Sequence, residues 1–317
     1  MKKLALLLLI LPLTTKSIAC DVCGCKLGGL YFGILPQYNT HFIGLRYSHA
    51  TFRAAMNYNS EYLENEYSTD TYQRIDLMGR YSLSEKWQIN FLVPYMRNKM
   101  DGSHQNVTSH GIGDPMILVY FNPFNTGDKI VTDWKHALLV GGGLKLPVGD
   151  YEKEDNGEII NRNFQLGSGS LDYVLSANYT LRYQDWGINL ESSYKINSAN
   201  DLDYEFGNQA NVSGYLFNYV QTPQVSFLPY AGVFVETAGK HMDGKIEQVN
   251  TGGTATFATV GAQVFRSSFT LTMQYQHPVS QSFNSDHIAT IEAGDRFTVG
   301  LLFNFSLYPR VKMPMED

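Results

Sequence analysis

The sequence of 317 residues carries a formal net charge of −6 and is rich in Tyr (21) and Phe (18), whereas only 17% of its residues are charged. This mildly negative balance, without a basic patch, argues against nucleic acid as a partner. No segment after the N-terminal apolar run approaches 18 consecutive apolar residues, which argues against a helical membrane protein. Abundant aromatics together with Gly, Ser, Thr and Asn are typical of strands and turns.

The N-terminus has the build of a secretory signal peptide. Two lysines precede an apolar run from Leu4 to Leu13, and Ser17-Ile18-Ala19 supplies the small residues of a cleavage site. We therefore expect residues 1–19 to be a cleaved signal peptide and the mature chain to be exported. Lipid attachment to Cys20 is the alternative to ordinary cleavage.

Three cysteines, Cys20, Cys23 and Cys25, open the segment 20–38. Several thiolates can share one soft ion, which favours copper(I) or zinc over magnesium or calcium. Two plainer interpretations compete: lipid on Cys20, or a disulfide between two of the three in an oxidising periplasm. A structural zinc site would lack its fourth ligand. The apolar stretch Leu27 to Pro36 could lie in a bore as a plug, and the segment could contact a periplasmic partner.

From residue 41 onward, apolar and polar residues alternate with period two, which predicts strands with two different faces. In the clearest stretch, Trp186 to Asn197, the apolar residues Trp186, Ile188, Leu190, Tyr194 and Ile196 occupy one face. We predict strands at 41–56, 72–84, 86–98, 111–122, 134–147, 168–183, 185–197, 210–221, 225–238, 253–266, 268–279 and 294–308. Their number, about 12, is even, as single-chain bacterial barrels require.

The connections between these strands alternate between short and long. Longer hydrophilic loops are predicted at 57–71, 99–110, 148–167, 198–209, 239–252 and 280–293, with mostly tight turns between them. Transmembrane barrels have short periplasmic turns and long extracellular loops. We therefore predict an all-β, transmembrane, antiparallel up-and-down barrel over 39–308, embedded in outer-membrane lipid, with a tail at 309–317. A soluble β-sandwich fits less well, because its strands are usually about 5 or 6 residues long.

Four strings point to a family. These are GIGDPMILVYFNP (Gly111 to Pro123), GGGLKLPVGDY (Gly141 to Tyr151), FQLGSGSLDYVLSANY (Phe164 to Tyr179) and YAGVFVE (Tyr230 to Glu236). In this order they resemble the outer-membrane transporter-like family named after the meta-pathway of phenol degradation. The resemblance implies a channel or transporter for a small solute, including a hydrophobic or aromatic one. Its motif positions here are Asp114, Pro115, Lys145 and Asp172, and glycines near the two aspartates favour structural roles for both.

Charged side chains on the polar faces are expected to line the lumen, because near the membrane midplane each would be costly facing lipid. They can set the selectivity of a pore, or they can pair across a narrow barrel and fill it. Both interpretations stay open. The candidates are Arg74, Asp76, Arg80, Lys145, Asp172, Arg182, Glu191 and Lys195.

The sequence thus predicts a non-enzymatic outer-membrane channel or transporter. The main alternative is a non-conducting module that binds copper or zinc through its cysteine tail. A barrel hydrolase fits less well, because no nucleophile motif accompanies any of the eight histidines.

Overall fold

The computed structural model describes residues 34, 41–58, 62, 64–103, 105–126, 133–155 and 157–306. The signal peptide, the three cysteines and the C-terminal tail lie outside these residues, so those assignments remain predictions. No helix in the described part of the chain is long and apolar enough to cross a membrane.

Twelve long antiparallel strands form the molecule, and the fourth consists of two segments. They are β1 (His41–Met56), β2 (Glu66–Ser82), β3 (Trp87–Gly102), β4 (Asn106–Ile112 and Met116–Asn125), β5 (Trp134–Lys145), β6 (Asp172–Tyr183), β7 (Trp186–Ile196), β8 (Gln209–Asn218), β9 (Ser226–Ala238), β10 (Gly253–Arg266), β11 (Phe269–Phe283) and β12 (Ala289–Phe305). Short strands at Glu154–Asp155, Glu158–Ile159, Tyr204–Glu205, Val220–Gln221, Met242–Asp243 and Ile246–Glu247, and a 3-10 turn at Arg162–Phe164, lie in the connections.

The strands close into a barrel. Each pairs with its neighbours in the chain, and β12 returns to pair with β1 from His41 opposite Phe305 to Met56 opposite Ala289. Closure removes the unpaired edges that an open sheet would present. The predicted architecture, an all-β antiparallel barrel of 12 strands, is confirmed.

The two faces of the barrel differ as the alternation predicts. On β1, the outward Ile43 and Leu45 are exposed, whereas the intervening Gly44 and Arg46 face inward and Arg46 is buried. The outward band of exposed apolar side chains continues around the barrel, for example at Leu190 on β7 and Leu301 on β12. Such a band is the surface that a hydrocarbon layer covers.

Two predicted loops are wrong. Residues 99–110 form the end of β3 and the start of β4, joined by a tight turn in which Gly102 N donates to Gln105 O at 3.0 Å. Most of 280–293 belongs to β11 and β12. Beyond the membrane, the outer face of a strand turns polar while its backbone pairing continues, so the apolar pattern ends before the strand does.

The fourth strand is interrupted where one continuous strand was predicted. Its two segments both pair with β3, and Gly113 N between them donates to Pro94 O at 2.8 Å. Pro94 and Pro115 face this point from both strands, and neither has an N–H to donate to the ladder. The interruption places the carboxylate of Asp114 beside the ends of β5 and β6.

Candidate functional site: the charged bore

The eight charged residues predicted to line the lumen all occupy inward-facing positions of their strands. The structure brings five of them into two clusters, one in the middle of the barrel and one at the end where the longest loop begins. We assign this end to the outside of the membrane, because most connections there are long. Arg182 lies apart towards the other end, with its guanidinium 5.3 Å from the ring centre of Tyr219. Lys195 also lies apart, close to the extracellular end of β7.

The central cluster is an arginine belt made of Arg46, Arg74, Asp76 and Arg80. Arg46 Nε and Nη2 donate to Asp76 Oδ2 at 2.9 and 2.8 Å, and Arg74 Nε lies 2.9 Å from Asp76 Oδ1. Asp76 is fully buried. One carboxylate is thus shared by two guanidinium groups, and the third, Arg80, lies 5.0 Å over the ring of Phe42.

The second cluster ties together the family-motif residues. Lys145 Nζ donates to Asp114 Oδ2 at 2.8 Å and lies 2.7 Å from Asp172 Oδ2, and it also contacts Ser168 Oγ. Asp114 Oδ1 accepts from the backbone N–H groups of Val148 and Gly149 at 3.1 and 2.9 Å. Lys145 therefore joins the interruption of β4, the end of β5 and the start of β6, and its partners hold both ends of the loop 146–171.

That loop folds into the extracellular end of the bore. The ring of Phe164 stacks on Tyr72 with centroids 5.5 Å apart, and its carbonyl accepts from Asn98 Nδ2 at 3.3 Å and from Ser109 Oγ. Phe164 belongs to an apolar cluster, here named the extracellular closure. Its members are Ala50, Phe52, Ala54, Tyr72, Met100, Val107, Ile160, Phe164, Phe234, Ala238, Ala255, Phe257, Ile291 and Ala293.

Beside the extracellular closure lies an ion pair that the sequence analysis missed. Arg296 Nη1 donates to Glu236 Oε2 at 2.8 Å, and a second hydrogen bond makes the pair bidentate. The guanidinium also lies 4.0 Å over the ring of Phe257 and 5.7 Å from that of Phe52. A register shift between Ala50 and Phe52 on β1 moves the inward positions of β12 by one residue, which hides Arg296 from simple alternation.

The other end of the bore is also filled. Ile34, from the segment before β1, is fully buried among Tyr215, Phe217, Leu228 and Tyr230, a cluster here named the periplasmic closure. The Ile34 carbonyl accepts from Thr180 Oγ1 at 3.2 Å and from Asn189 Nδ2 at 3.4 Å. Both donors are inward-facing side chains of β6 and β7, so residue 34 lies within the barrel.

The predicted metal ligands lie in a different part of the chain. Cys20, Cys23 and Cys25 lie outside the described residues, and within those residues no group of three or more His, Cys, Asp or Glu could hold a metal ion. Copper(I) or zinc binding by the cysteine tail therefore stays a prediction. His277 Nδ1 lies 2.7 Å from Asp295 Oδ1 on the outer face of the barrel, where both side chains are more than half exposed.

Residues 63–282, from the loop before β2 to the end of β11, match the family described as "Putative MetA-pathway of phenol degradation". The chain belongs to this family. The four strings and the Asp114–Lys145–Asp172 cluster all fall within the matched range. The search of curated proteins found no match.

The fold of this family member also occurs in a solved structure, and two further structures are less similar. An outer membrane channel from Pseudomonas putida F1 is 17% identical, with a TM-score of 0.65 over 86% of this chain and 97% of that chain. The β domain of the Bordetella autotransporter BrkA is 10% identical, with a TM-score of 0.45 over 83% of this chain and 100% of that chain. A Pseudomonas aeruginosa FadL homologue is also 10% identical, with a TM-score of 0.43 over 84% and 90%.

Proposed function

We propose that the protein is a channel of the bacterial outer membrane that passes a small solute through a bore closed at both ends by side-chain contacts. The observation that carries this proposal is the burial of Ile34 inside the barrel, where only hydrogen bonds and apolar packing with the wall are observed. Contacts of this kind can separate without unfolding the barrel. A wall with a charged belt between two such closures suits passage better than a purely structural role.

The lining favours a solute that has an apolar part. The extracellular closure contains the rings of Phe52, Phe234 and Phe257, which are buried against one another and would line the passage once the closure opens. Apolar and aromatic lining with a few placed polar groups is typical of sites that bind small organic molecules. This agrees with the solute class that the family resemblance implies.

Passage, and not catalysis, is the activity that we infer. The pair His277–Asp295 is the arrangement nearest to an acid–base site, but both side chains are exposed on the outer face. Within the described residues, no serine or threonine hydroxyl is hydrogen-bonded to His277. A nucleophile activated by histidine needs such a contact.

The test is single-channel conductance of the refolded full chain in planar bilayers, with Ile34→Asp as the variant. An aspartate in the periplasmic closure would bury an unpaired charge among Tyr215, Phe217 and Leu228, so the segment should leave the wall and the conductance should rise severalfold. Ile246→Asp is the matched control, because Ile246 lies in an extracellular connection and is 69% exposed. Silence of both the wild type and Ile34→Asp would count against a channel.

A further inference from the structure

The bore carries more positive than negative charge below the level of the extracellular closure. Inward-facing positions of the described strands there hold four arginines, Arg46, Arg74, Arg80 and Arg182, against two carboxylates, Asp76 and Glu191. Lys135, the register partner of Arg182 on the neighbouring strand, adds a cation near the periplasmic end.

Two carboxylates are fewer than the four arginines that share this part of the bore. Asp76 belongs to the arginine belt and is contacted by both Arg46 and Arg74, and Glu191 faces the bore from β7. Three of the four arginines come from the adjacent strands β1 and β2. One wall of the bore is therefore strongly cationic, and a bore of low dielectric concentrates its field on a passing ion.

The chain between the predicted signal peptide and β1 contributes no net charge. Its charged residues are Asp21 and Lys26. At the extracellular side, by contrast, Arg296 is matched by Glu236, and Lys145 lies between Asp114 and Asp172. The excess of positive charge is thus confined to the middle and the periplasmic half of the bore.

We infer that the bore selects for anions, and that the solute is a small organic anion with an apolar body, such as an arene carboxylate. The inference rests on the proposed channel function and names its substrate class. The aromatic rings of the extracellular closure receive the apolar body, and the arginine belt receives the carboxylate. Planar guanidinium groups form bidentate hydrogen bonds with carboxylates, which makes arginine well suited to this role.

Two readouts on the full chain test the inference. The first is the reversal potential in planar bilayers under a KCl gradient, which should have the sign of an anion-selective pore. The second needs no conduction: the ¹⁹F line width of 4-fluorobenzoate mixed with the protein in detergent micelles, compared with neutral 4-fluorobenzamide and cationic 4-fluorobenzylamine. We expect saturable broadening for the benzoate and none for the benzylamine.

Arg74→Gln is the informative variant, because Asp76 keeps its two hydrogen bonds from Arg46. It should move the reversal potential towards zero and weaken benzoate binding about tenfold, the effect of losing one charge-assisted hydrogen bond. Arg53→Gln removes the same charge from an exposed, outward-facing position of β1 and should change neither readout.

The outcomes separate this inference from the channel function. A conducting protein with a cation-selective reversal potential would overturn the inference and leave the channel standing. Broadening that is equal for all three probes, or unchanged in Arg74→Gln, would also overturn it. A full chain that does not conduct would still support the inference if it broadens the ¹⁹F line of the benzoate alone and if Arg74→Gln abolishes this broadening. Absence of conductance in Ile34→Asp would instead count against the channel function.

Discussion

The positive charge of Arg296 is buried against the rings of Phe257 and Phe52 and the carboxylate of Glu236. Its side chain and that of Glu236 are 3% and 4% exposed. Removing one member of a buried ion pair leaves the other charge without compensation, which costs more than the pair itself contributes. A substitution that removes only the charge of one partner, such as Glu to Gln, should therefore destabilise the barrel around Phe257.

Glu236→Gln should lower the free energy of unfolding by about 3–5 kcal/mol, because Arg296 keeps its charge and loses its carboxylate partner. Urea titration of the barrel in lipid vesicles, followed by tryptophan fluorescence, measures this change. Glu236→Gln combined with Arg296→Gln should be more stable than Glu236→Gln alone. If the double variant is the less stable one, the interaction is not the cause of the loss.

Single residues in the bore differ in how far the sequence reveals them. Asp76 and Arg74 are evident because both share the polar face of β2, whose other face is apolar. Glu236 is not evident from the sequence, because β9 is apolar on both faces, with Val233 and Val235 outside and Phe234 inside. Alternation separates two faces only where one of them is polar, so an ion pair inside an apolar section leaves no periodic signal.

At the scale of elements, the loop 146–171 depends on one lysine at its base. Lys145 separates two buried carboxylates, those of Asp114 and Asp172, and Asp114 in turn accepts the N–H groups of Val148, Gly149 and Ser168. Without the positive charge of Lys145 between them, the two carboxylates would repel each other. The loop should then open more often.

Lys145→Met should make the loop at least about tenfold more sensitive to trypsin, which corresponds to about 1.4 kcal/mol in the opening equilibrium. Lys153 offers a cleavage site within the loop, where its Nζ donates to Thr108 O at 2.8 Å. Cleavage rates on intact cells measure the effect. Lys240→Met is the control, because Lys240 forms only an exposed pair with Glu247. In this variant, trypsin should cleave the loop 146–171 at the rate of the wild type.

The strands themselves were largely predictable, but their extracellular ends were not. β2 begins at Glu66 where 72 was predicted, and β12 begins at Ala289 where 294 was predicted. Asp70 and Thr69 on β2 are still paired with Phe52 and Arg53 on β1. The outward positions of this part of β2 are polar, so the apolar pattern has already ended there. Hydropathy marks the thickness of the membrane, whereas hydrogen bonding sets the length of a strand.

For the whole molecule, closure was predictable and the contents of the bore were not. An even number of long alternating strands joined by tight turns leaves few alternatives to an up-and-down barrel. The contacts of Phe164 with Tyr72 and of Ile34 with Phe217 join segments far apart in the sequence, and irregular loops carry no periodicity that could announce them. The two closures therefore became visible only in three dimensions.

The orientation of the barrel wall can be tested with two adjacent serines on β7. Ser192 lies on the outward face between Leu190 and Tyr194, whereas Ser193 faces the bore beside Asn211, whose Nδ2 donates to Ser193 Oγ at 3.3 Å. An arginine facing lipid costs about 2–4 kcal/mol at the midplane and about 0–1 kcal/mol near the interface. Ser192 lies near the middle of β7 (Trp186–Ile196), so Ser192→Arg should cost about 2–4 kcal/mol of folding free energy in vesicles.

Ser193→Arg adds the same side chain one residue away, where Glu191 lies on the same inward face of β7. We expect Ser193→Arg to reduce the folding free energy less than Ser192→Arg does. Only Ser192→Arg should slow folding into vesicles. Folding yield on gels, where folded barrels migrate differently from heated ones, compares both variants in one experiment. If Ser193→Arg is the more costly change, the assignment of the two faces of β7 is wrong, and with it the placement of Glu191 and Lys195 in the bore.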